Sequence, residues 1–229
     1  MQLAPGVYSL GIAKGFASHA FLIDDGDGLT LIDTLFDANA RVIFDEIRAL
    51  GLTITDLKHI VLTHAHRSHL GGLATLKRLS GATVYSHAWE ADIIAGERAP
   101  QQVSWWPQDP RVTYHFQVAN NLNLSKHVPC KVDRHVEGGE RIGPLEVIHA
   151  PGHTPGHLAF WLPGPRILFC GDAVVTSPKF MAGWPGFVLN HPQHAATLRT
   201  LAAYDAAILA FGHGEPITAA ATARLRGLL

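Results

Sequence analysis

The chain has 229 residues, enough for one sizeable hydrophobic core, and we predict a single domain over residues 1–229. Its 18 basic and 19 acidic residues nearly balance, which argues against a nucleic-acid-binding face and favours a small or neutral substrate. The two cysteines, Cys130 and Cys170, have neither the spacing of a metal site nor that of a disulfide framework.

The amino terminus, residues 1–6, has no basic segment followed by a long apolar stretch. No run elsewhere in the chain approaches the ~20 apolar residues that a membrane-spanning helix needs. We therefore expect a protein that has no membrane partner and that is located in the cytoplasm.

The first half of the chain alternates between predicted strands and predicted helices. Apolar runs bounded by turn residues predict strands at residues 7–12, 20–23, 29–32, 57–63 and 83–86. Apolar side chains at helical spacing predict helices at residues 38–50 and 70–79, the first of which ends at Gly51. A first sheet with accompanying helices is therefore expected in this half.

Strands dominate again in the second half, over residues 145–175. A helix over residues 192–201, a strand over 207–211 and a closing helix over 217–229 are predicted to follow. Two strand-rich segments, each with its own helices, suit two sheets packed face to face with the helices outside.

Three imidazoles lie within six residues, just after the apolar run that ends at Leu62: they belong to His64, His66 and His69. Imidazole is the commonest neutral ligand for a metal such as zinc, and a strand that leads into a tight turn can aim neighbouring side chains at one point. This density of histidine therefore indicates a metal site. An isolated histidine elsewhere in the chain is more simply a core or surface residue.

Further ligand candidates stand beside turn-forming glycine and proline residues downstream. They are His153, Asp172 and His213, and each follows a predicted strand. Loops at the ends of strands on a rigid scaffold commonly carry chemistry. The candidates from both halves of the chain are therefore expected to meet in one assembled site.

The order of these motifs resembles the metallo-β-lactamase superfamily from about residue 6 to residue 216. The motifs are His-x-His-x-x-His at residues 64–69, Pro-Gly-His-Thr-Pro-Gly-His at 151–157, Gly-Asp at 171–172 and Gly-His-Gly at 212–214. The resemblance implies an α/β fold, a four-layer αββα sandwich of two mixed β-sheets flanked by helices. It also implies a metal-dependent hydrolase similar to lactonases and glyoxalase II.

The resemblance further implies two metal sites that share one carboxylate. The first would use His64, His66 and His153. The second would use His69, His213 and the aspartate of the family motif His-x-His-x-Asp-His, with Asp172 bridging both ions. Here Ser68 occupies the aspartate position. A neutral hydroxyl binds a divalent cation less well than a carboxylate, so the resemblance predicts one or two Zn²⁺ ions with a weakened second site.

The expected chemistry is attack of a metal-bound water on the carbonyl of an ester, lactone, thioester or lactam, with Asp172 and Ser68 as candidate orienters of that water. Asp33 resembles a family carboxylate that orients a ligand histidine. His157 resembles a recurrent histidine with a structural role. The irregular stretch 97–137 lies where family insertions often shape the substrate pocket, and its Trp105 and Trp106 are candidate substrate-binding residues, with ordinary packing as the alternative.

Two alternatives from other functional classes remain open at this point. A mononuclear Fe²⁺ persulfide dioxygenase of the same superfamily would use two histidines and one aspartate, here His64, His153 and Asp172. The replacement of the motif aspartate by Ser68 also permits a catalytically degenerate metal-binding domain. Metal identity distinguishes the first alternative from hydrolysis, and restoring the carboxylate tests the second.

Overall fold

A computed structural model describes all of residues 1–229. Its architecture is built from β-strands whose side chains point alternately to opposite faces. Twelve strands are present: β1 (Gln2–Ala4), β2 (Val7–Ile12), β3 (Ser18–Asp24), β4 (Leu29–Ile32), β5 (Leu57–Val61), β6 (Thr83–Ser86), β7 (Arg134–His135), β8 (Arg141–Ile142), β9 (Leu145–His149), β10 (Leu158–Leu162), β11 (Ile167–Phe169) and β12 (Ile208–Ala210). The helices are α1 (Lys14–Ala17), α2 (Arg41–Ala49), α3 (Arg67–Leu70), α4 (Leu73–Ser80), α5 (Ala88–Ile94), α6 (Tyr114–Asn121), α7 (His191–Leu201) and α8 (Ala221–Arg226). None of these helices combines the length and the apolar composition that crossing a lipid bilayer requires.

The strands form two mixed sheets. The first contains β1 to β7 in sequence order, antiparallel from β1 to β4 and parallel from β4 to β7. The second has the order β12-β11-β10-β9-β8, in which only β11 and β12 are parallel neighbours. Parallel neighbours bring the carboxyl ends of their strands to one edge of the sheet, and the loops that leave those ends can share a site.

Alternating side chains divide the interior into three apolar layers. Phe21 and Phe160 point between the sheets, where residues of both sheets pack together. Leu22 belongs to a layer beneath α2 and α4 on the outer face of the first sheet. Ala159 belongs to a layer beneath α7 and α8 on the outer face of the second. Neighbouring residues of a strand face opposite sides of its sheet. Each sheet therefore packs against helices on its outer face and against the other sheet on its inner face, and the predicted αββα sandwich is confirmed.

The helix predicted over residues 70–79 is instead two helices, α3 and α4. Gly71 and Gly72 separate them and lie against the backbone of the chain that follows β4. A β-carbon on Gly71 would lie 2.2 Å from the carbonyl carbon and oxygen of Phe36. The break therefore follows from a close backbone approach that only glycine permits.

The closing helix predicted over residues 217–229 is shorter than expected. It comprises only α8, because Ile217 forms an antiparallel β-bridge with Leu209 of β12. The helix α5, and α6 within the stretch expected to be irregular, were not predicted.

Candidate metal centre

The ligand candidates lie on loops that leave both sheets at the same end of the sandwich. His64 and His66 follow β5, and His153 lies between β9 and β10. Asp172 follows β11, and His213 follows its parallel neighbour β12. The two loops from β11 and β12 are joined by a hydrogen bond from the Gly212 amide to the Gly171 carbonyl. The fold therefore brings together residues that are far apart in sequence.

The first cluster contains three imidazoles and one carboxylate. His66 Nδ1 lies 2.9 Å from His64 Nε2 and 3.1 Å from His153 Nε2. Asp172 Oδ2 lies 3.7 Å from His64 Nε2 and 3.6 Å from His153 Nε2. A tetrahedral Zn²⁺ with bonds of about 2.0–2.1 Å separates its donor atoms by about 3.3 Å. The four donor atoms thus have the spacing that a single cation requires.

The second cluster shares Asp172 with the first. Asp172 Oδ2 lies 3.5 Å from His69 Nε2 and 3.3 Å from His213 Nε2. Ser68 Oγ is 3.4 Å from His213 Nε2, so its hydroxyl faces this cluster from the position where the family motif has a carboxylate. Asp172 is consequently the only carboxylate among the donor atoms of both clusters.

Hydrogen bonds orient the two histidines of the second cluster. His69 Nδ1 donates to Asp33 Oδ2 at 2.9 Å, and Asp33 also accepts from the amide and hydroxyl of Thr63. His213 Nδ1 donates to the carbonyl of Phe16 at 3.0 Å. In both rings Nε2 is left to face Asp172. The structure therefore places Asp33 where the sequence analysis expected an orienting carboxylate.

Three buried atoms of the cluster residues have no hydrogen-bond partner, namely His69 Nε2, His153 Nδ1 and Asp172 Oδ1. Buried polar atoms are nearly always paired, because an unpaired one loses its hydration without compensation. Gly212 packs so closely that a β-carbon there would lie 2.1 Å from Asp172 Oδ1. A cation bound between the histidines and Asp172 Oδ2 would supply the missing partner of His69 Nε2, so these residues fit a metal.

The electrostatics of the first cluster favour metal binding. Burial lowers the pKa of His64 and His153 well below the ordinary value and that of His66 to about 4. Burial would raise the pKa of Asp172, but His213 and His69 hold it well below its usual range. Three neutral imidazoles beside an ionised carboxylate form a donor set that is ready to bind a cation.

His69 differs from the other ligand candidates. Burial alone would lower its pKa, but the carboxylates of Asp172 and Asp33 outweigh burial and raise it to about 10. A cation that binds at His69 Nε2 must therefore displace a proton.

A cleft of about 590 Å³ opens over the clusters and is lined by His66, Ser68, Asp172 and His213. Its aromatic side chains come from Phe36, Phe116, Trp184 and Phe187. Phe187 also contacts the ring of His66, with 5.6 Å between ring centroids. The cleft therefore gives a small molecule access to the candidate ligands.

Trp105 and Trp106, the candidate substrate-binding residues, are not among the residues that line this cleft. Trp105 is 45% exposed and Trp106 is 79% exposed, and neither lines the cleft. The irregular stretch does contribute a wall, but through Phe116 and Asn120 of α6. The buried side chain of Gln117 donates hydrogen bonds to the carbonyls of Ser104 and Trp106, on either side of Trp105.

Two further residues support the clusters, and the sequence indicated only one of them, His157. The carbonyl of Phe16, which accepts from His213, has no sequence signal, since any residue carries a carbonyl. His157 lies behind the clusters, where its Nε2 accepts from the Asp172 amide at 3.0 Å. Burial lowers the pKa of His157 to about 3, which keeps the ring neutral for this contact. Its placement agrees with a structural role.

Comparison with known proteins places the chain in a family. The profile of the metallo-beta-lactamase superfamily matches residues 13–213. The uncharacterized protein YobT of Bacillus subtilis is 30% identical over 210 residues, which cover 87% of this chain and 84% of YobT. The probable metallo-hydrolase YflN of the same organism is 26% identical over 235 residues, with 95% and 87% covered.

A solved structure shows a similar arrangement of the chain. The metallo-beta-lactamase family protein TTHA1429 from Thermus thermophilus matches with a TM-score of 0.71 and 25% identity, covering 99% of this chain and 79% of that protein. The motifs, the sheet topology and the converging ligand candidates agree with these similarities. The chain is therefore a member of the metallo-β-lactamase superfamily, with the general character of a metal-dependent hydrolase.

Proposed function

We propose that the protein hydrolyses a carbonyl substrate at a metal centre whose first site is His64, His66, His153 and Asp172. The single observation that supports this most strongly is that one carboxylate oxygen, Asp172 Oδ2, lies within 3.3–3.7 Å of four imidazole nitrogens. A bound divalent cation supplies Lewis-acid activation of water and of the scissile carbonyl.

The residues of the first site would leave a divalent cation with a net positive charge toward the substrate. His64, His66 and His153 are neutral ligands, and Asp172 contributes one negative charge. A net positive charge stabilises the oxyanion that develops when an ester, lactone, thioester or lactam carbonyl is attacked.

Ser68 cannot replace the carboxylate of the family motif as a proton acceptor, because an ordinary hydroxyl does not lose its proton at neutral pH. Its oxygen faces His213, so it can orient a water or contribute a neutral ligand. We therefore propose that the second site, formed by His69, His213 and Asp172, holds its ion more weakly than the first. The first site is sufficient for hydrolysis.

The three-histidine arrangement favours Zn²⁺ and hydrolysis over Fe²⁺ and dioxygen chemistry. An iron site with two histidines and one aspartate would leave His66 outside the donor set. In the structure, His66 Nδ1 lies closer to His64 and His153 than Asp172 does. His66 therefore belongs to the same donor set as His64 and His153, and a set of three imidazoles suits Zn²⁺.

Metal reconstitution tests this function. Purified protein stripped of metal and loaded with one equivalent of Zn²⁺ is expected to hydrolyse at least one member of a panel of esters, lactones, thioesters and lactams. Protein loaded with Fe²⁺ is expected to consume no oxygen on a persulfide. Tight zinc binding without hydrolysis of the panel, together with iron-dependent oxygen uptake, would contradict the proposal.

The cleft also favours a substrate that carries a negative charge away from the scissile bond. Arg67 lines the cleft, and Lys126 and Arg98 line an adjoining cleft of about 680 Å³ that shares His127 with it. Arg67 and Lys126 belong to none of the ion pairs of the protein. Since the chain as a whole has a net charge of only −1, these cations form a local arrangement that modifies the expectation of a neutral substrate.

Replacing the lysine tests this preference. For a matched pair of substrates, one ending in a carboxylate and one in its methyl ester, Lys126→Gln is expected to reduce the preference for the anion about twofold to fivefold, with the effect in KM. The control is Lys58→Gln, which changes net charge equally but lies outside both clefts. An unchanged preference, or an equal loss in the control, would reject a role for Lys126.

A further inference from the structure

Glu90 is a buried carboxylate outside the candidate metal centre. It lies on α5, is 1% exposed, and forms no ion pair within the protein. Its Oε2 accepts from the amide of Ala65 at 3.0 Å, and its Oε1 accepts from the hydroxyl of Thr154. The amide of Gly156 also donates to this carboxylate. The carboxyl group is therefore held by three donors, and no cation contacts it.

The three donors belong to the two loops that carry the first metal site. Ala65 stands between His64 and His66 on the loop after β5, which belongs to the first sheet. Thr154 follows His153 directly on the loop between β9 and β10, which belongs to the second sheet. Glu90 is thus hydrogen-bonded to both ligand loops at once, although they come from different sheets.

The fit around the carboxylate is close. A β-carbon on Gly156 would lie 2.8 Å from Glu90 Oε1, so this loop reaches the carboxylate only because the position is glycine. Glu90 does not line the cleft over the clusters, and therefore it does not face a substrate there.

Burying a carboxylate without an ion pair is unfavourable, and an apolar residue would fill the same space without that cost. Burial raises the pKa of Glu90 to about 7 even though its three hydrogen bonds act in the opposite direction. What a carboxylate provides here, and an apolar residue cannot, is an acceptor for both loops. A carboxylate accepts on both oxygens, whereas an amide has one oxygen and one donor group.

We propose that Glu90 is a positioning residue that holds His66 and His153 at the separation that the first metal site requires. The inference rests on the proposed metal site. It explains the 3.1 Å distance between His66 Nδ1 and His153 Nε2 by the hydrogen bonds that Glu90 accepts from the two ligand loops. The histidines of the second site are oriented by Asp33 and by the Phe16 carbonyl instead. Removing Glu90 therefore acts on the first site selectively.

Metal affinity measures this role without depending on turnover. In competition titrations against a chromophoric chelator, Glu90→Gln is expected to weaken binding of the first equivalent of Zn²⁺ about tenfold, since changes behind metal ligands typically cost 10–100-fold. The absorption spectrum of the Co²⁺-loaded variant is expected to change, because the ligand geometry relaxes. Thr154→Val removes one of the three hydrogen bonds and is expected to give a smaller change in the same direction. The double variant is expected to be less than additive, because both substitutions break the same contact.

Two controls separate positioning from a general loss of stability. Glu146→Gln makes the same chemical change on β9, outside the ligand loops, and Ile47→Ala creates a defect in the buried face of α2. Both are expected to keep the wild-type zinc affinity and cobalt spectrum. The inference is overturned if Glu90→Gln and Thr154→Val bind the first zinc within about twofold of wild type, or if Ile47→Ala weakens zinc binding equally at a matched melting temperature. A wild-type protein that binds no zinc would overturn the proposed function itself, which is a separate result.

Discussion

The His153→Ala variant is expected to lose the first equivalent of Zn²⁺ and to fall in kcat/KM by more than about a hundredfold. Substituting a residue that only orients a metal ligand typically costs about 10–100-fold in metal affinity or activity. We expect a larger loss here because a donor atom itself is removed. His153 is also the only histidine that the second sheet contributes to the first cluster, and its Nε2 lies 3.1 Å from His66. Without His153, the first cluster keeps only His64 and His66, which share one loop, and Asp172, which lies on another. Metal content by elemental analysis and hydrolysis of the active substrate check this result.

The matched variant is His213→Ala, which removes a ligand of the second cluster and leaves the first complete. It is expected to bind one zinc ion with wild-type affinity and to keep measurable activity. His191→Ala, on the exposed start of α7, serves as a histidine that belongs to neither cluster. If His153→Ala and His213→Ala lose the first zinc equally, the division into a strong and a weak site is wrong.

The Ser68→Asp variant is expected to bind the second equivalent of Zn²⁺ about tenfold or more tightly than wild type, and to hydrolyse substrate faster. The hydroxyl oxygen of Ser68 lies 3.4 Å from His213 Nε2, so a carboxylate at this position can reach the cation that His213 and His69 would hold. The added carboxylate also provides a proton acceptor that the hydroxyl cannot. Calorimetric titration with Zn²⁺ and steady-state rates measure the two effects.

The same substitution is expected to lower the melting temperature of the metal-free protein. A new negative charge beside the ionised and buried Asp172 is repelled, and a cation removes this repulsion. Ser68→Asn is the control, because it has nearly the shape of aspartate without the charge. Equal zinc affinities for the aspartate and asparagine variants would show that charge at this position does not limit the second site. An increase in affinity without an increase in rate would leave the first site as the sole source of activity.

The ligand candidates and the sandwich could be predicted from sequence because both depend on local patterns. His64, His66 and His153 stand at strand ends beside turn residues, and the motif order resembles a family of known fold. Strand alternation is visible in runs such as Phe21, Leu22 and Ile23, whose side chains enter different apolar layers. Such patterns survive folding because the side-chain periodicity of a strand is fixed by its backbone.

Two of the helices that were not predicted, α5 and α6, bury polar side chains. In α6 the buried residues are Gln117 and Asn120, whose amides bind backbone carbonyls of the preceding loop, so no apolar stripe marks the helix. In α5 the buried side of the helix contains Glu90, and the first turn is capped by His87 rather than by a usual capping residue. Hydrophobic periodicity cannot detect α6, because the inner face of that helix makes hydrogen bonds. The helix α5 also buries Ala91, Ile93 and Ile94, but its seven residues are too few to show a helical period.

The outward position of Trp105 and Trp106 has a similar explanation. A large aromatic side chain predicts burial on composition alone, but which face of an irregular segment turns inward depends on contacts made by distant residues. Gln117 donates hydrogen bonds to the carbonyl of Ser104, next to Trp105, and to the carbonyl of Gly186, which is 69 residues away in the chain. No local pattern in the sequence contains that information.

If both clusters bind a cation, as we propose, the sharing of Asp172 would make binding of the two cations mutually unfavourable. One carboxylate provides the negative charge for both positions. The first ion to bind would neutralise part of that charge, and the binding free energy of the second ion would therefore be less favourable. By thermodynamic reciprocity the second ion must weaken the first by the same factor. The protein would therefore pass gradually from a mononuclear to a binuclear form as free zinc rises, and its stoichiometry would report the zinc supply of its surroundings.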